Sequence, residues 1–175
     1  MAQRHGLTLP AASSAQQTAG RTLWNGNRSP GDADFFTIGY TGRPLTHFLE
    51  VLLSNGVRTL ADIRYNPVSM YRPELSKANL KRSVEEHGLN YVHLPDLGVP
   101  RDIRAKAIDT GTRDVIWDWY DQFVVPPHLG RNLHWFFNGI EHPVAFMCVE
   151  ISPRECHRHR LSIALEAKGL RGFDL

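Results

Sequence analysis

This sequence predicts a three-layer α/β fold, with a mainly parallel sheet of about five strands and helices on both faces. Two observations carry the prediction. From Phe35 onward, apolar runs of strand length alternate with stretches whose apolar residues recur at helical spacing. The boundaries between them carry glycine, proline or a small polar residue suited to stopping or starting a helix. Strand–helix alternation produces parallel neighbours, because parallel strands need a long crossover that a helix supplies.

The elements follow in order. Phe35-Phe36-Thr37-Ile38-Gly39 is a compact apolar run that reads as a buried first strand. Leu45, Phe48, Leu49, Leu52 and Leu53 then fall at i, i+3, i+4, i+7 and i+8, one stripe of a helix that Asn55-Gly56 ends. Val57 to Ile63 is a second strand, with Asp62 and Arg64 at its carboxyl end. Ser76 is placed to cap a helix carrying Leu80 and Val84, closed by His87-Gly88. Leu89 to Leu94 reads as a third strand stopped by Pro95. Arg101 to Ile140 shows helical periods broken at Asp109-Thr110-Gly111 and Pro126-Pro127, with Trp117, Tyr120 and Phe123 on an apolar face. Pro143 to Val149 is a fourth strand. Ser152-Pro153-Arg154-Glu155 then has the pattern of a capping box with proline at its first helical position, predicting a helix from Pro153 to about Lys168. Leu170 to Leu175 completes the set as a short last strand.

Residues 1–33 differ in kind. They carry Ser, Gln, Gly, Ala and Pro without a hydrophobic period, and their first acid is Asp32. Such a composition does not offset chain entropy by burial, so a flexible tail is expected, followed by one domain over residues 34–175. No apolar stretch of signal-peptide length follows Met1.

The whole chain has 175 residues, the size of a single domain. Its hydrophobic content of 42% and charged content of 22% exclude a disordered or collagen-like chain. Two cysteines are too few to staple a fold of this size, which predicts a reducing, cytoplasmic setting. No apolar run approaches the roughly 18 residues of a membrane span, so no membrane partner is expected. Net charge is only +2, yet 16 of the 20 basic residues are arginine, the side chain suited to bidentate capture of phosphate or carboxylate.

In open parallel sheets ligands lie beyond the carboxyl ends of the strands. Three clusters map there. Gly39-Tyr40-Thr41-Gly42-Arg43 follows the first strand and reads either as an anion-holding turn or as a tight strand-to-helix connection. Asp62 and Arg64 follow the second, alternating so that both point to one face, as an ion pair or as functional groups. Cys148-Val149-Glu150 follows the fourth, with Cys156-His157-Arg158 in the helix behind it.

The last cluster supports three chemistries. Cys148-x5-Arg154 has the spacing of cysteine-dependent phosphatases, but Glu150 would repel phosphate and Pro153 removes a needed donor, so that reading is rejected. Cys148, Cys156, His157 and His159 contain zinc-binding residue types, but they lack a C-x2–4-C pair, and on a helix His157 and His159 diverge; no metal and no cofactor is assigned. The third chemistry is acid–base or nucleophilic. Glu150 at a strand end is a candidate acid or base. A helix N-terminus beside His157 and Arg158 would favour a Cys156 thiolate. Tyr65, Tyr71 and Arg72 in the next loop have the aromatic and basic character that stacks on nucleic-acid bases.

Taken in order, Thr37-Ile38-Gly39-Tyr40, then Asp62-Ile63-Arg64 with Pro67 and Ser69, then Tyr91-x-His93-Leu94-Pro95-x-Leu97-Gly98, and last Met147-Cys148-Val149-Glu150 with Pro153 and Cys156-His157-Arg158, form one pattern. It resembles the family catalogued as domain of unknown function 488, over roughly Phe35 to Leu175. Tyr40 stands where that family often has His, and Val149 where Ala is common. The resemblance implies a compact α/β domain with its pocket at Arg64, Cys148, Glu150, Cys156, His157 and Arg158, and it implies no reaction.

The expectation is therefore a small enzyme acting on a phosphorylated or nucleotide-like substrate. Glu150, Cys156, Cys148 and His157 are its candidate catalytic residues. Tyr40, Arg43, Asp62, Arg64, Ser69 and Arg158 are its candidate binding residues, with a small anionic ligand or nucleotide as partner. The alternatives are a non-catalytic module binding nucleotide or nucleic acid, and a cysteine-based redox or metal sensor.

Overall fold

The computed structural model describes residues 25–130 and 132–175. The described residues form one sheet from β1 (Phe35–Gly39), β2 (Thr59–Asp62), β3 (Asn90–His93), β4 (Val144–Cys148) and β5 (Gly172–Asp174). The strand order is β3-β2-β4-β1-β5, and every neighbouring pair is parallel. The helices are α1 (Leu45–Ser54), α2 (Lys77–Glu86), α3 (Arg101–Thr110), α4 (Asp114–Phe123), α5 (Val125–Leu129), α6 (Leu133–Phe136) and α7 (Arg158–Glu166). None of the described helices is long and apolar enough to cross a membrane.

The strand order places the helices. From β1 through β2 to β3 the chain steps one way across the sheet, and from β3 through β4 to β5 it steps back. Right-handed crossovers in opposite directions put their helices on opposite faces. Two cores follow. On one face, Phe48, Leu49 and Leu52 of α1 and Leu80 and Val84 of α2 pack on Ile38, Leu60 and Met147. On the other, Ile103, Tyr120, Leu129, Leu161 and Leu165 from α3–α7 pack on Ala61, Ile63, Phe146 and Cys148. Every residue of β4 is buried, as an unbroken apolar run in the middle of a parallel sheet requires.

Several local expectations are corrected. Ser76 stands at the start of α2, but its hydroxyl bonds to Ser69, accepting from the Ser69 amide (3.0 Å) instead of capping the helix. Phe123, expected in the core, is 61% exposed, whereas Tyr120 is fully buried and donates its hydroxyl to the Leu97 carbonyl (2.9 Å). Of the expected tail, residues 1–24 lie outside the described residues, but Asn25 is buried and exchanges two hydrogen bonds with the Asp174 backbone, and Arg28 donates to the Gly172 carbonyl. Asn25 and Arg28 thus attach the largely exposed residues 25–33 to β5, which their composition does not reveal.

The largest correction concerns the helix after β4. Pro153–Glu155 makes only one 3-10 turn, Cys156 is extended (φ −128°, ψ 143°), and α7 starts at Arg158. A capping box is worth about 1 kcal/mol. The break at Cys156 turns Cys156, His157 and Arg158 all into the interior, which outweighs it. Arg158 is fully buried and pairs with Asp174 (3.3 Å), which also accepts from Thr37 of β1 (2.7 Å). Its Nη1 and Nη2 donate to the backbone carbonyls of Glu150 and Ile151 respectively. Replacing Arg158 with Met should lower the unfolding free energy by about 3–5 kcal/mol, because it strands a buried carboxylate. Urea unfolding of the two chains measures the difference, and a loss below about 1 kcal/mol would show that the pair does not hold the fold together.

Candidate functional site

Beyond β4, on the face covered by α3–α7, Cys148, Cys156 and His157 meet. Their donor atoms all lie within 4.8 Å of one another, and all three residues are buried. His157 Nδ1 is 3.8 Å from Cys148 Sγ and 3.9 Å from Cys156 Sγ. Its Nε2 faces the Ile63 carbonyl at 3.3 Å, and the Tyr120 ring packs beside it at 5.4 Å. His159, on the first turn of α7, points elsewhere: its Nδ1 lies 2.6 Å from the Cys156 carbonyl and its ring meets Trp117 edge-on. Both cysteines are free thiols. Burial pushes the Cys156 thiol well up, reinforced by its hydrogen bond with Cys148, which opposes the thiolate expected at a helix N-terminus. Cys156 precedes the helix and sits in an extended, enclosed stretch of chain.

A cavity of about 360 Å³ opens beside this cluster, between the β4–α7 connection and the pair α3 and α4. Arg104 of α3, Arg113 of the turn before α4, Trp117 of α4, and Glu150, Glu155 and His157 line it. Glu150 is half-buried, with one carboxylate oxygen 3.7 Å from Cys148 Sγ and the other 3.8 Å from Arg113. His157 forms part of the wall, so the cavity reaches the thiol cluster. Composition and spacing missed Arg104, Arg113, Trp117 and Glu155. The available signal was topological: α3 and α4 follow β3, so a hairpin of helices at the carboxyl edge was the place to search for a basic wall.

The remaining candidates gather on the opposite face or are taken up by the fold. Asp62 is fully buried and accepts two hydrogen bonds from the Arg64 guanidinium (2.8 and 2.6 Å) and one from the Tyr91 hydroxyl (2.6 Å). Arg64 lies over the Tyr40 ring, 5.3 Å from its centroid. Burial opposes the Arg64 charge, but the bonds and charge of Asp62 more than offset it and raise its pKa. Burial and the Asp62 charge push the Tyr91 phenol up. Ser69 accepts from the Arg72 amide (3.2 Å) and shapes the loop. Arg43 is buried and donates to the Leu175 carbonyl (2.7 Å).

Tyr40, Arg43, Asp62, Arg64, Ser69 and Arg158 are not among the described residues lining the cavity, so the hollow expected to join Arg64, Glu150 and Arg158 divides into two groups. The Gly39 turn is likewise structural. A Cβ on Gly39 would sit 1.8 Å from the Glu150 carbonyl oxygen, and the Thr41 amide donates to Val149 (3.0 Å). Backbone therefore fills the crevice between β1 and β4 where an anion would have entered.

A parallel sheet covered by helices on both faces, with a cavity at its carboxyl edge, defines a small three-layer α/β domain. The chain belongs to the family described as Domain of unknown function DUF488, whose model matches residues 44–165. That span holds Asp62, Arg64, the cavity and the thiol cluster, and it begins after β1, Tyr40 and Arg43. No curated protein and no solved structure matches the chain.

Only a thiolate attacks an alkylating reagent, and each unit of raised pKa cuts its fraction roughly tenfold. With chelator and reductant present, iodoacetamide at pH 8 should label native Cys156 at least about ten times more slowly than the urea-unfolded chain, as read by peptide mapping. Equal rates would identify an exposed, poised nucleophile instead.

Proposed function

We propose that this chain is an enzyme that binds a small anionic substrate, phosphorylated or nucleotide-like, in the cavity at the carboxyl edge of its sheet, with Glu150 as the acid–base group. The supporting observation is the convergence of Arg104, Arg113 and Glu150 on one half-open cavity beside His157. An ion pair at that level of exposure contributes about 0–1 kcal/mol, so an arriving anion displaces it at little cost. As Arg113 turns to the substrate it releases the Glu150 carboxylate, leaving that group free to take a proton at the site of reaction. Arg104 extends the basic wall and Trp117 gives the substrate an apolar surface to lie on. Arg158 acts as a positioning residue, because it holds the Glu150 carbonyl and thereby sets where the carboxylate emerges.

A thermal-shift screen against nucleotides and sugar phosphates tests the reading. A ligand at 100 times its Kd should add about 2.7 kcal/mol to stability. That shift should vanish in the Arg104→Ala/Arg113→Ala double variant. Against the ligand so found, Glu150→Gln should cut turnover by about 10²–10⁴-fold while binding and melting temperature stay close to those of the parent chain. A ligand shift that survives loss of both arginines would refute the site.

A second reading rests on the loop after β2. Tyr71 is 99% exposed and Tyr65 is 48% exposed, and Tyr65 shares a smaller cavity with Arg101 and Arg104. Side chains of this kind stack on bases. If the chain is a nucleic-acid module, single-stranded oligonucleotide should bind with an affinity that falls steeply as salt rises, and Tyr71→Ala should weaken it. Retention that ignores salt would count against this reading.

A further inference from the structure

We propose that Cys148 Sγ, Cys156 Sγ and His157 Nδ1 bind a zinc ion whose fourth coordination position opens toward the cavity. The argument begins with distance. A tetrahedral zinc, with Zn–S of about 2.3 Å and Zn–N of about 2.0–2.1 Å, holds its ligand atoms about 3.5–3.8 Å apart. Here Nδ1 stands 3.8 and 3.9 Å from the two sulfurs, and no pair of donor atoms exceeds 4.8 Å. Small side-chain adjustments close the set around an ion.

The second argument is the orientation of the histidine. A metal-ligating imidazole donates its other N–H to a carbonyl or carboxylate, which fixes the tautomer and aims the ligand nitrogen. With Nε2 protonated, His157 donates to the Ile63 carbonyl at 3.3 Å and leaves Nδ1 unprotonated 3.8 and 3.9 Å from the two sulfurs. Cys148 Sγ also lies 3.9 Å from Nε2, so a modest turn of the ring is needed to bring the Nδ1 lone pair onto the ion. Ile63 directly follows β2 and its amide is held by Met147 of β4 (3.1 Å), so that carbonyl is carried by the sheet. The third argument is donor chemistry and charge. Two thiolates and one imidazole are soft and borderline ligands suited to zinc, and two negative charges neutralise the dication in a site closed to solvent on the sheet side. On binding, each thiol loses its proton to solvent as its sulfur joins the metal, so the ion enters with two protons leaving.

Three protein ligands and an open position form the pattern of catalytic zinc sites. Glu150 touches Cys148 from the cavity side at 3.7 Å, where its carboxylate faces a molecule in the fourth position. The open position rests on the cavity reading given under Proposed function, whereas metal binding by the three residues does not depend on it. The break before α7 makes the set possible. A helix running through Cys156 would carry it past the strand end, and the extended residue turns its sulfur back to Cys148.

The test uses the full chain, reduced and without an affinity tag. After dialysis against zinc and then buffer it should retain about one equivalent. Cobalt(II) added to the metal-free chain should give a thiolate-to-cobalt charge-transfer band with the intense visible bands of tetrahedral cobalt. Cys156→Ser and His157→Asn should each lose affinity by more than the roughly 10–100-fold that removing an outer hydrogen-bond partner costs. Glu150→Gln should keep the metal. The cobalt spectrum of the parent chain stands even where a variant fails to fold. A parent chain that takes up neither ion overturns the site, as does undiminished binding in the Cys156 or His157 variant. Loss of metal in Glu150→Gln overturns the open position. Because no substrate is present in these measurements, their failure is separable from failure of the anion screen.

Discussion

Arg158 holds the carboxyl edge of this sheet together from inside it. Placing a guanidinium in a protein interior costs several kcal/mol unless every nitrogen is satisfied and a carboxylate stands opposite. Both conditions are met: Nε and Nη2 reach Asp174, while Nη1 and Nη2 donate to the carbonyls of Glu150 and Ile151. Each partner belongs to a different part of the chain. Asp174 is on β5 and receives the Thr37 hydroxyl from β1, and the two carbonyls lie in the loop leaving β4. One side chain therefore fixes the last strand to the first and sets the path of the segment that carries Glu150. Because Arg158 directly follows Cys156 and His157, satisfying it also draws the thiol and the imidazole beneath the end of β4.

The parity of the strands decides which polar residues meet. Neighbouring residues on a strand face opposite sides of the sheet. Asp62 pairs in register with Met147, so it shares the face of α1 and α2, where Arg64 and Tyr91 complete its hydrogen bonds and the Tyr40 ring lies against the Arg64 guanidinium. Cys148, one residue on, faces α3–α7. The Asp62–Arg64 group is closed upon itself, with both carboxylate oxygens and the guanidinium engaged, and behaves as a structural ion pair. The Cys148 group adjoins a cavity, with Glu150 and His157 on its wall.

Much of this was legible from single residues. The apolar run of β4, the α1 helix and the boundaries at Asn55-Gly56 and Pro95 lie where pattern and turn chemistry put them, although Leu53 of the α1 stripe is 45% exposed while Phe48, Leu49 and Leu52 are buried. The association of Cys148, Glu150, Cys156 and His157 was also readable, because they lie within a few residues on either side of one loop. Arg43, Arg64 and Arg158 misled, since arginine chemistry says what a side chain is able to hold but not whether the fold already occupies it. Relative strand parity needs the register, and register between β2 and β4 is a long-range property that no local pattern encodes. The α7 start failed for a related reason: the capping pattern is local, and the burial that overrode it involves Asp174, sixteen residues beyond Arg158.

The cavity and the thiol cluster explain each other better than either stands alone. A half-open cavity lined by two carboxylates and two arginines has charge but no strong electrophile or nucleophile of its own. Cys156, with its thiol pushed up by burial, is a poor nucleophile at neutral pH, and the helix N-terminus that would have activated it begins two residues later. Two buried thiols packed around a histidine as mere core filling leave Nδ1 with only sulfurs, 3.8 and 3.9 Å away, as polar neighbours among the described residues. A cation among the three donors resolves that arrangement. It would give Nδ1 a partner, convert enclosed thiols into compensated thiolates, and supply an electrophile beside Glu150. On the proposals above, the features that looked separate along the chain would serve one place: Arg104 and Arg113 would hold the anion, Cys148, Cys156 and His157 would hold an ion able to supply Lewis-acid chemistry, and Glu150 would move the proton.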